Sequence, residues 1–372
     1  MSAYKAAIRP LLFRFDPERM HNLTLNLLPL FPISPGPISS SLASRVAGLN
    51  FPSPIGMAAG FDKDARRSKS IFRFGFGFVE VGTLTPRAQT GNPFPRIQRL
   101  EEDDAIVNSM GFPNCGLSEA VWRLARFKSR PGPLGINIGA NADTSDKITD
   151  YVLAYRAAAS VADYVTINVS SPNTPGLRTL ESGSGLTSLL RRLDREIERL
   201  KTPLFLKVSP DLLPEEIQNS CAALINSKVS AVIVGNTSVR RPNDLKAPNV
   251  KSGGGLSGHP LRALSEEALE NFYATLGGKL PIISVGGIAS AEDAYRRICK
   301  GASLVQLYTG FIYEGPYLVK RMNRRLAELL LGDGHKSIAS AVGSHVREVR
   351  AAKARRPAVG GIRTKIVSHV AA

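Results

Sequence analysis

Short polar side chains crowd the segment NVSSPNTPGLR, Asn168 to Arg178, directly after the alternating run DYVTI. Ser, Asn, Pro and Gly are the ordinary residues of a turn after a strand, so this composition alone indicates no more than a loop. The same side chains carry hydroxyls and amides that both donate and accept hydrogen bonds, so the loop could instead hold a polar ligand. The ends of the other strands decide between these two interpretations.

Eight short runs rich in Val, Ile, Leu and Phe predict buried strands, and stretches of helical periodicity lie between most of them. The runs are PIGMAA, FVEVGT, PLGINI, YVTINV, LFLKVS, AVIVGN, IISVGG and LVQLYT. Alternating strands and helices in about 280 residues predict an α/β fold, a (β/α)8 TIM barrel. A doubly wound sheet with extra strands would also alternate, but no GxGxxG follows the first strand.

Polar residues and glycines follow these runs in order. They are Ala59, Gly60 and Lys63; Gly82 and Thr83; Asn137; Asn168 and Ser171; Lys207; Asn236 and Thr237; Gly286 and Gly287; and Tyr308 and Thr309. In a barrel these positions converge on the carboxyl-end face, where barrel active sites lie. A single glycine here is explained by a tight turn, but glycines at consecutive strand ends favour close backbone approach to a ligand.

Lys207 stands inside the apolar run LFLKVS. A lysine reaching from a strand end to solvent is the ordinary explanation, but a buried lysine is costly unless it is paired. A functional lysine is therefore the favoured interpretation. The segment GGGLSGHP, Gly253 to Pro260, and the glycines after the seventh strand are the elements best placed to bind a phosphate.

Composition excludes several classes of protein. The 372 residues hold only three cysteines, widely separated, which argues against a disulfide framework or a metal knuckle. No apolar run is long enough to cross a bilayer. The net charge of +17 is concentrated at the two ends of the chain. Such basic ends are typical of a solvated tail, of binding to an anionic membrane surface or of binding to a nucleic acid. The last residues have few large apolar side chains and no aromatics, which predicts poor order.

Eight motifs together resemble the dihydroorotate dehydrogenase family over about residues 45 to 330. They are AAGFDKD, VEVGTLTP, NSMGFPNCG, INVSSPNTPGLR, KVSPDL, NTSVRRP, GGLSGHPL and VGGI with LVQLYTGF. The start, RPLLFRFDPERMHNL, is similar to the helical extension of the membrane-associated, quinone-reducing class 2 enzymes. The resemblance implies a helical extension over 1–40, an FMN-binding barrel over 45–333 and a basic tail over 335–372.

The resemblance implies FMN as cofactor, dihydroorotate as substrate and a quinone as electron acceptor. Residues implied to bind FMN are Ala59, Gly60, Lys63, Thr83, Asn137, Asn168, Lys207, Gly235, Ser257, Gly258, Gly286, Gly287, Tyr308 and Thr309. Those implied to bind dihydroorotate are Lys63, Asn108, Ser109, Met110, Gly111, Phe112, Asn168, Asn173, Asn236 and Thr237. Ser171 takes the place of the catalytic base, with Thr174 and a water near Phe112 as the route for the proton, and His21 and Arg99 would line a quinone tunnel.

Two positions depart from the pattern of the family. Ser109 stands where the family often has Arg, and Gly235 stands where it often has Thr. Ser109 in place of Arg would loosen a contact of the substrate loop. Gly235 in place of Thr would remove a hydroxyl contact to the flavin while keeping the backbone contact. Ser170 is the alternative serine, since neighbouring strand residues point to opposite faces.

The extension predicts two short helices, the second beginning at Pro17 with Asp16 as N-cap. Its apolar residues and Lys5, Arg9, Arg14 and Arg19 predict peripheral binding to an anionic membrane, at the cytoplasmic face of a bacterial inner membrane. No metal, nucleic acid or obligate protein partner is expected. Two alternatives are a flavin barrel acting on RNA, such as a dihydrouridine synthase, which lacks support in a catalytic Cys, and a non-catalytic basic scaffold, which leaves the polar strand ends unexplained.

Overall fold

The computed structural model describes residues 3–174, 176–181 and 183–348. Strands in these ranges are β1 Ser44–Val46, β2 Leu49–Phe51, β3 Ile55–Met57, β4 Phe78–Leu84, β5 Ile97–Leu100, β6 Ala105–Asn108, β7 Leu134–Ile138, β8 Tyr164–Asn168, β9 Leu204–Val208, β10 Ala231–Val234, β11 Gly255–Gly258, β12 Ile282–Val285 and β13 Leu304–Leu307. Eight of them, β3, β4, β7, β8, β9, β10, β12 and β13, close in that order into a parallel barrel. These are the eight predicted runs, so the (β/α)8 barrel is confirmed.

Helices cover the barrel and extend its mouth. They are α1 Arg9–Phe13, α2 Pro17–Leu27, α3 Ser68–Phe72, α4 Leu117–Leu124, α5 Lys147–Ala158, α6 Gly183–Leu200, α7 Pro214–Ile225, α8 Arg262–Leu276, α9 Ala291–Cys299, α10 Thr309–Glu314, α11 Leu318–Gly332 and α12 Ile338–Ala341. The amphipathic helix α6 shows why they pack: Leu186, Leu189, Leu190 and Leu193 recur on one face and are buried.

The barrel interior is built in layers by the two-residue alternation of each strand. The lowest layer is apolar: Phe78 and Phe205 are buried there, and the ring of Tyr164 stacks on that of Phe205 with centroids 4.4 Å apart. The hairpin of β1 and β2 closes this end, because Val46 and Phe51 pack into the same cluster. The interior is therefore sealed at the amino end and can open only at the carboxyl end.

The next layer is polar, because the same alternation places Glu80 two residues after Phe78 and Lys207 two residues after Phe205. Thr166 follows Tyr164 in the same way, and all three polar side chains are buried. Tyr164 and the polar residues above it thus share the inward face of their strands. Parallel strands bring their carboxyl ends to one rim, so these three strands place their polar residues in one layer of the interior.

An additional antiparallel sheet of β5, β6 and β11 stands beside the rim, with Asn108 paired to Gly255. Helices α1 and α2 lie at the same end of the barrel. Asp16 caps α2, its carboxylate accepting from the amides of Glu18 and Arg19 at 3.1 and 2.8 Å, as predicted. The mouth of the barrel is therefore walled on one side by the extension.

The start of the predicted tail packs on the barrel. Ile338 and Ala341 of α12 are fully buried, and the amide of Gly343 donates to the carbonyl of Ile298 at 3.0 Å. Residues 335–348 thus belong with the folded body, although their composition predicts poor order. The more basic part of the tail, 349–372, lies outside the described residues.

Gly135 is required by the apolar layer, because a Cβ there would lie 2.2 Å from the ring of Tyr164. We expect Gly135→Ala to lower the unfolding free energy by about 1–3 kcal/mol through overpacking. Urea unfolding is the measurement. Gly253→Ala is the control, since no atom lies within 4 Å of its Cβ position. Equal effects of the two substitutions would show that the ring of Tyr164 is not tightly held.

Candidate active site

A cavity of about 410 Å³ opens at the carboxyl ends of the barrel strands. It brings together most of the residues predicted from the sequence. Those that line it are His21, Ala59, Gly60, Lys63, Thr83, Arg99, Asn108, Met110, Gly111, Phe112, Asn168, Ser171, Asn173, Lys207, Gly235, Asn236, Thr237, Ser257, Gly258, Gly286, Gly287, Tyr308 and Thr309. Its volume is that of a site for a cofactor or a small substrate.

Three predicted residues do not line the cavity. Asn137 is fully buried one layer below the floor, where its Oδ1 accepts from Thr83 Oγ1 at 2.6 Å. The Ser109 carbonyl accepts from Asn92 at 3.0 Å, which fixes the loop through its backbone. Thr174 is buried, and its Oγ1 has no hydrogen-bond partner in the ranges that the structure describes. These residues support the wall and do not form its surface.

The two neighbouring serines are separated as the strand geometry predicts. Ser171 lines the cavity, and its Oγ accepts from the amide of Asn173 at 3.3 Å. Ser170 is fully buried, where its Oγ accepts from Asn236 Nδ2 at 2.9 Å and donates to Asn168 Oδ1 at 3.3 Å. Ser171 is therefore the serine that an occupant of the cavity can contact.

Amides from four elements bond one another around the cavity. Asn236 Nδ2 donates to Asn168 Oδ1 at 3.1 Å, and Asn173 Nδ2 donates to Asn108 Oδ1 at 3.3 Å. Asn168 Nδ2 in turn donates to Thr83 Oγ1 at 3.2 Å. Because each amide is held by a neighbour, the donors and acceptors that face the cavity keep fixed directions.

Glu80 organises the floor beneath this ring of amides, and it is not among the site residues predicted from the sequence. Its carboxylate is fully buried and accepts from Asn137 Nδ2 at 2.8 Å, Gln306 Nε2 at 3.0 Å, Thr166 Oγ1 at 3.1 Å and Tyr164 OH at 3.2 Å. These donors come from three different strands, β7, β8 and β13. The signal was available, because a Glu in the apolar run FVEVGT is as costly as a Lys in LFLKVS.

Lys207 lines the cavity with only 5% of its surface exposed. Burial lowers the pKa of its ammonium, and the carboxylate of Glu80 acts in the opposite direction. Within the part of the chain that the structure describes, the side chain of Lys207 makes no hydrogen bond. Its three N–H donors are therefore available to an occupant of the cavity.

Lys63 and His21 lie where the polar site meets the helices. Lys63 Nζ donates to the Gly60 carbonyl at 2.8 Å, and burial lowers its pKa to about 8. His21 Nε2 donates to the Phe61 carbonyl at 2.9 Å, and burial together with the charge of Lys63 lowers its pKa to about 3. The imidazole is therefore neutral at pH 7, whereas Lys63 keeps most of its charge.

Helices α1 and α2 line an apolar arm of the cavity. Its side chains are Ile8, Leu12, Phe13, Met20, Leu23, Leu27, Leu28 and Phe31. Arg99 crosses from β5 and donates to the carbonyls of Phe13 and Phe15 at 3.2 and 3.0 Å. Burial lowers the pKa of its guanidinium. One cavity thus joins a polar end to an apolar end.

Arg96 connects α2 to the loops of the polar site. It is buried and forms a two-pronged ion pair with Glu18, with N–O distances of 2.9 and 2.7 Å. Its third nitrogen donates to the carbonyls of Thr90 and Asn92, and Asn92 Nδ2 donates to the carbonyl of Asn173 at 3.2 Å. The extension is therefore fastened to the loop that carries Asn173.

Two further properties bear on chemistry. Among the described residues, no three His, Cys, Asp or Glu side chains are grouped so that they could hold a metal ion. None of the helices in the described ranges is long and apolar enough to span a lipid bilayer.

Comparisons with known proteins agree with this arrangement. The sequence model of the family described as dihydroorotate dehydrogenase matches residues 41–330. A dihydroorotate dehydrogenase (quinone) of Sphingopyxis alaskensis is 49% identical over 92% of this chain and 97% of its own, and one of Novosphingobium aromaticivorans is 46% identical over 91% and 98%. A crystal structure of DHODH from Eimeria tenella in complex with ferulenol has a TM-score of 0.86 at 36% identity, over 89% of this chain and 96% of that one.

The buried charges of Glu80 and Lys207 predict energetic coupling. We expect Glu80→Gln to lower the unfolding free energy by about 3–5 kcal/mol, because it leaves a buried ammonium without its counter-charge. Combining it with Lys207→Met should cost less than the sum of the two single effects, by about 0.5–3 kcal/mol. Urea unfolding of the four proteins measures this, with Tyr164→Phe as a variant that keeps both charges. Additive effects would contradict the pairing.

Proposed function

The chain belongs to the dihydroorotate dehydrogenase family, and we propose that it oxidises (S)-dihydroorotate to orotate through FMN with a quinone as electron acceptor. This reaction is a step of pyrimidine biosynthesis. One observation carries the proposal: a single cavity is lined by polar strand-end residues at one end and by apolar helix residues at the other. A water-soluble substrate and an apolar acceptor can therefore reach one cofactor from two sides. Membership in this family argues against both alternatives, a flavin barrel acting on RNA and a non-catalytic basic scaffold.

The residues present fit FMN. At the seventh strand end, Gly286 and Gly287 have φ of +119° and +68°, and a Cβ on Gly287 would lie 2.6 Å from Arg262 Cα. Such a turn brings bare backbone to the cavity, as a phosphate site requires. At the other end, Lys207 offers a buried cation to a ring edge that gains negative charge on reduction. FMN, when bound, accepts a hydride from C6 of dihydroorotate and passes the electrons to the quinone.

Lys207 would stabilise negative charge at the ring edge above the floor. Its ammonium is held in a buried position by β9, and the Glu80 carboxylate below it favours its charged form. Asn168 of β8 and Thr83 of β4 would bond the same ring, and Asn137 would act through Thr83 from below. Ser257, Gly258, Tyr308 and Thr309 would complete the site, with the hydroxyls of Ser257 and Thr309 2.9 Å apart.

Dihydroorotate would lie between the amides of Asn108, Asn173 and Asn236. Each amide supplies both a donor and an acceptor, which matches the lactam edges of the substrate. Lys63 would neutralise the substrate carboxylate, because its ammonium lies at the cavity and keeps most of its charge at pH 7. The fixed amide network holds the ring in one orientation, so that C5 faces Ser171.

Ser171 would take the proton from C5. Its Oγ lies on the cavity and already accepts one hydrogen bond, from the amide of Asn173. A serine hydroxyl is a weak base unless its own proton can leave, so a route is needed. Thr174 supplies a buried hydroxyl with unused hydrogen-bonding capacity in the same loop, beside which Phe112 lines the cavity. Loss of this proton and of the C6 hydride gives the C5–C6 double bond of orotate.

The quinone would enter between α1 and α2. Apolar side chains line that arm, and His21 and Arg99 stand where it reaches the barrel. The Arg99 guanidinium can donate to a quinone carbonyl through nitrogens other than the one that bonds Phe13 and Phe15. The single N–H of the neutral His21 imidazole already bonds the Phe61 carbonyl, so His21 would contribute its ring to the wall. The arm would therefore guide the acceptor to the ring edge and keep water away from it.

Peripheral attachment to an anionic membrane would present this arm to the quinone pool. Leu11, Leu23, Leu27, Leu30 and Phe31 are exposed on the extension. Arg14 and Arg19 are exposed beside them. Two other predicted head-group contacts are engaged elsewhere: Lys5 pairs with Glu314, and Arg9 lies 3.4 Å from Asp104. In a bacterial cell this would place the protein at the cytoplasmic face of the inner membrane.

Dihydroorotate should bleach the flavin of the purified wild-type protein in a single turnover. Ser171→Ala should keep FMN but slow this bleaching about 100-fold or more, because the base is lost. Ser170→Ala is the comparison: its hydroxyl is buried away from the cavity, so this variant loses only the support that Ser170 gives Asn168 and Asn236 and should be affected much less. The measurement is stopped-flow absorbance of the flavin band. A wild type that is not bleached by dihydroorotate would contradict the function, and a mild effect of Ser171→Ala would contradict only the base.

Leu23 tests the route of the quinone. Leu23→Glu should lower turnover with a long-chain quinone about tenfold or more, because a carboxylate at an apolar mouth obstructs an apolar ligand. Bleaching by dihydroorotate should stay at the wild-type rate. Leu153→Glu is a matched control: both side chains are 48% exposed, but Leu153 lies on α5, away from the cavity. Equal quinone turnover in the two variants would show that the acceptor enters elsewhere.

A further inference from the structure

Arg297 is the largest fully buried side chain in the described ranges, and nothing in the proposed mechanism uses it. It lies on α9, behind the turn that follows β12, and it is not part of the cavity surface. Burial lowers the pKa of its guanidinium to about 10, so it stays charged at neutral pH. A buried arginine is costly unless its donors are used, so its contacts are informative.

The guanidinium binds the carboxyl end of β12 from the outer side of the barrel. One terminal nitrogen lies within hydrogen-bond distance of three acceptors, the carbonyls of Gly286 and Arg262, each at 2.9 Å, and Ser265 Oγ at 2.7 Å. The other donates to Ser284 Oγ at 3.0 Å. The Ser265 hydroxyl lies 2.9 Å from the same Gly286 carbonyl. A guanidinium nitrogen of α9 and a hydroxyl of α8, which also lies 2.9 Å from the Leu261 carbonyl, are therefore both within hydrogen-bond distance of one peptide oxygen.

That carbonyl determines where the next amide points. The peptide between Gly286 and Gly287 is trans, so its C=O and N–H point in opposite directions. The carbonyl is held against Arg297 on the outer side, and Gly287 lines the cavity. The Gly287 N–H is therefore directed towards the cavity. Across the described ranges it has no acceptor of its own.

The turn cannot hold this direction by itself. Both glycines have positive φ, a region that costs glycine nothing, so many neighbouring conformations are open to them. An outside contact must select one of these conformations. Arg297 is well suited because a planar guanidinium with several donors fixes a geometry that one flexible ammonium would not.

We propose that Arg297 is a positioning residue for the phosphate of FMN: it holds the Gly286 carbonyl so that the Gly287 amide faces the phosphate. This rests on the proposed function, which places FMN in the cavity. Arg297 contacts no part of the ligand. Its effect is confined to the phosphate end, since the ring edge is held by Lys207 and Thr83 on other strands.

The test compares two flavins that differ only in the phosphate. FMN and riboflavin are titrated into the flavin-depleted full-length chain, and binding is followed by flavin fluorescence. Arg297→Met should weaken FMN binding about tenfold while riboflavin binding stays within about twofold of wild type. Arg296→Met is the matched control, because it removes the same charge from beside Glu266, with which both arginines pair, while Arg296 makes no contact with Gly286.

A second variant changes no charge and keeps Arg297. It therefore separates the loss of positioning from the loss of a buried cation. Ser265→Ala removes the second donor to the Gly286 carbonyl and should weaken FMN about twofold to threefold, again without affecting riboflavin. Equal losses of both flavins in Arg297→Met would indicate general destabilisation and overturn the proposal. An unchanged ratio of FMN to riboflavin affinity in Ser265→Ala would overturn it too. A wild type that binds neither flavin would instead refute the proposed function.

Discussion

The buried carboxylate of Glu80 is the interaction on which the site depends. It accepts hydrogen bonds from three strands of the barrel, and its charge opposes the lowering of the pKa that burial imposes on Lys207. A lone charge at that depth would be expelled or neutralised. The network therefore sets two properties at once: the direction of the Asn137 amide, which orders Thr83 and Asn168 above it, and the positive charge that faces the cavity.

The layered interior of the barrel makes this network possible. Strands β4, β8, β9 and β13 each place an aromatic or aliphatic residue at the bottom and a polar one above it, because their inward side chains recur every second residue. Tyr164, Thr166 and Asn168 show this on β8 alone. Apolar packing below excludes water from the polar layer, and that exclusion strengthens the hydrogen bonds which orient the rim.

Much of this could be predicted from the sequence. The eight apolar runs identified the strands, and the convergence of parallel strand ends brought residues as distant as Lys63 and Tyr308 into one site. Features that depend on long-range pairing were not predictable in this way. The pairing of Asn108 with Gly255 joins segments 147 residues apart, and the choice of Arg297 over Arg296 as the inward arginine depends on the rotation of α9. Glu80 could have been predicted from the sequence, because a buried Lys207 requires a partner of opposite charge.

The ion pair of Arg96 with Glu18 has a consequence for how the molecule is oriented. Together with the buried Leu25 and Leu28, it fastens α2 to the barrel at several points. Helices attached in this way cannot turn independently of the body. On a lipid surface, the plane of their exposed side chains would therefore fix the tilt of the whole barrel. The sealed amino end would face away from the lipid, and the distance of the cavity from the head groups would be a constant of the fold.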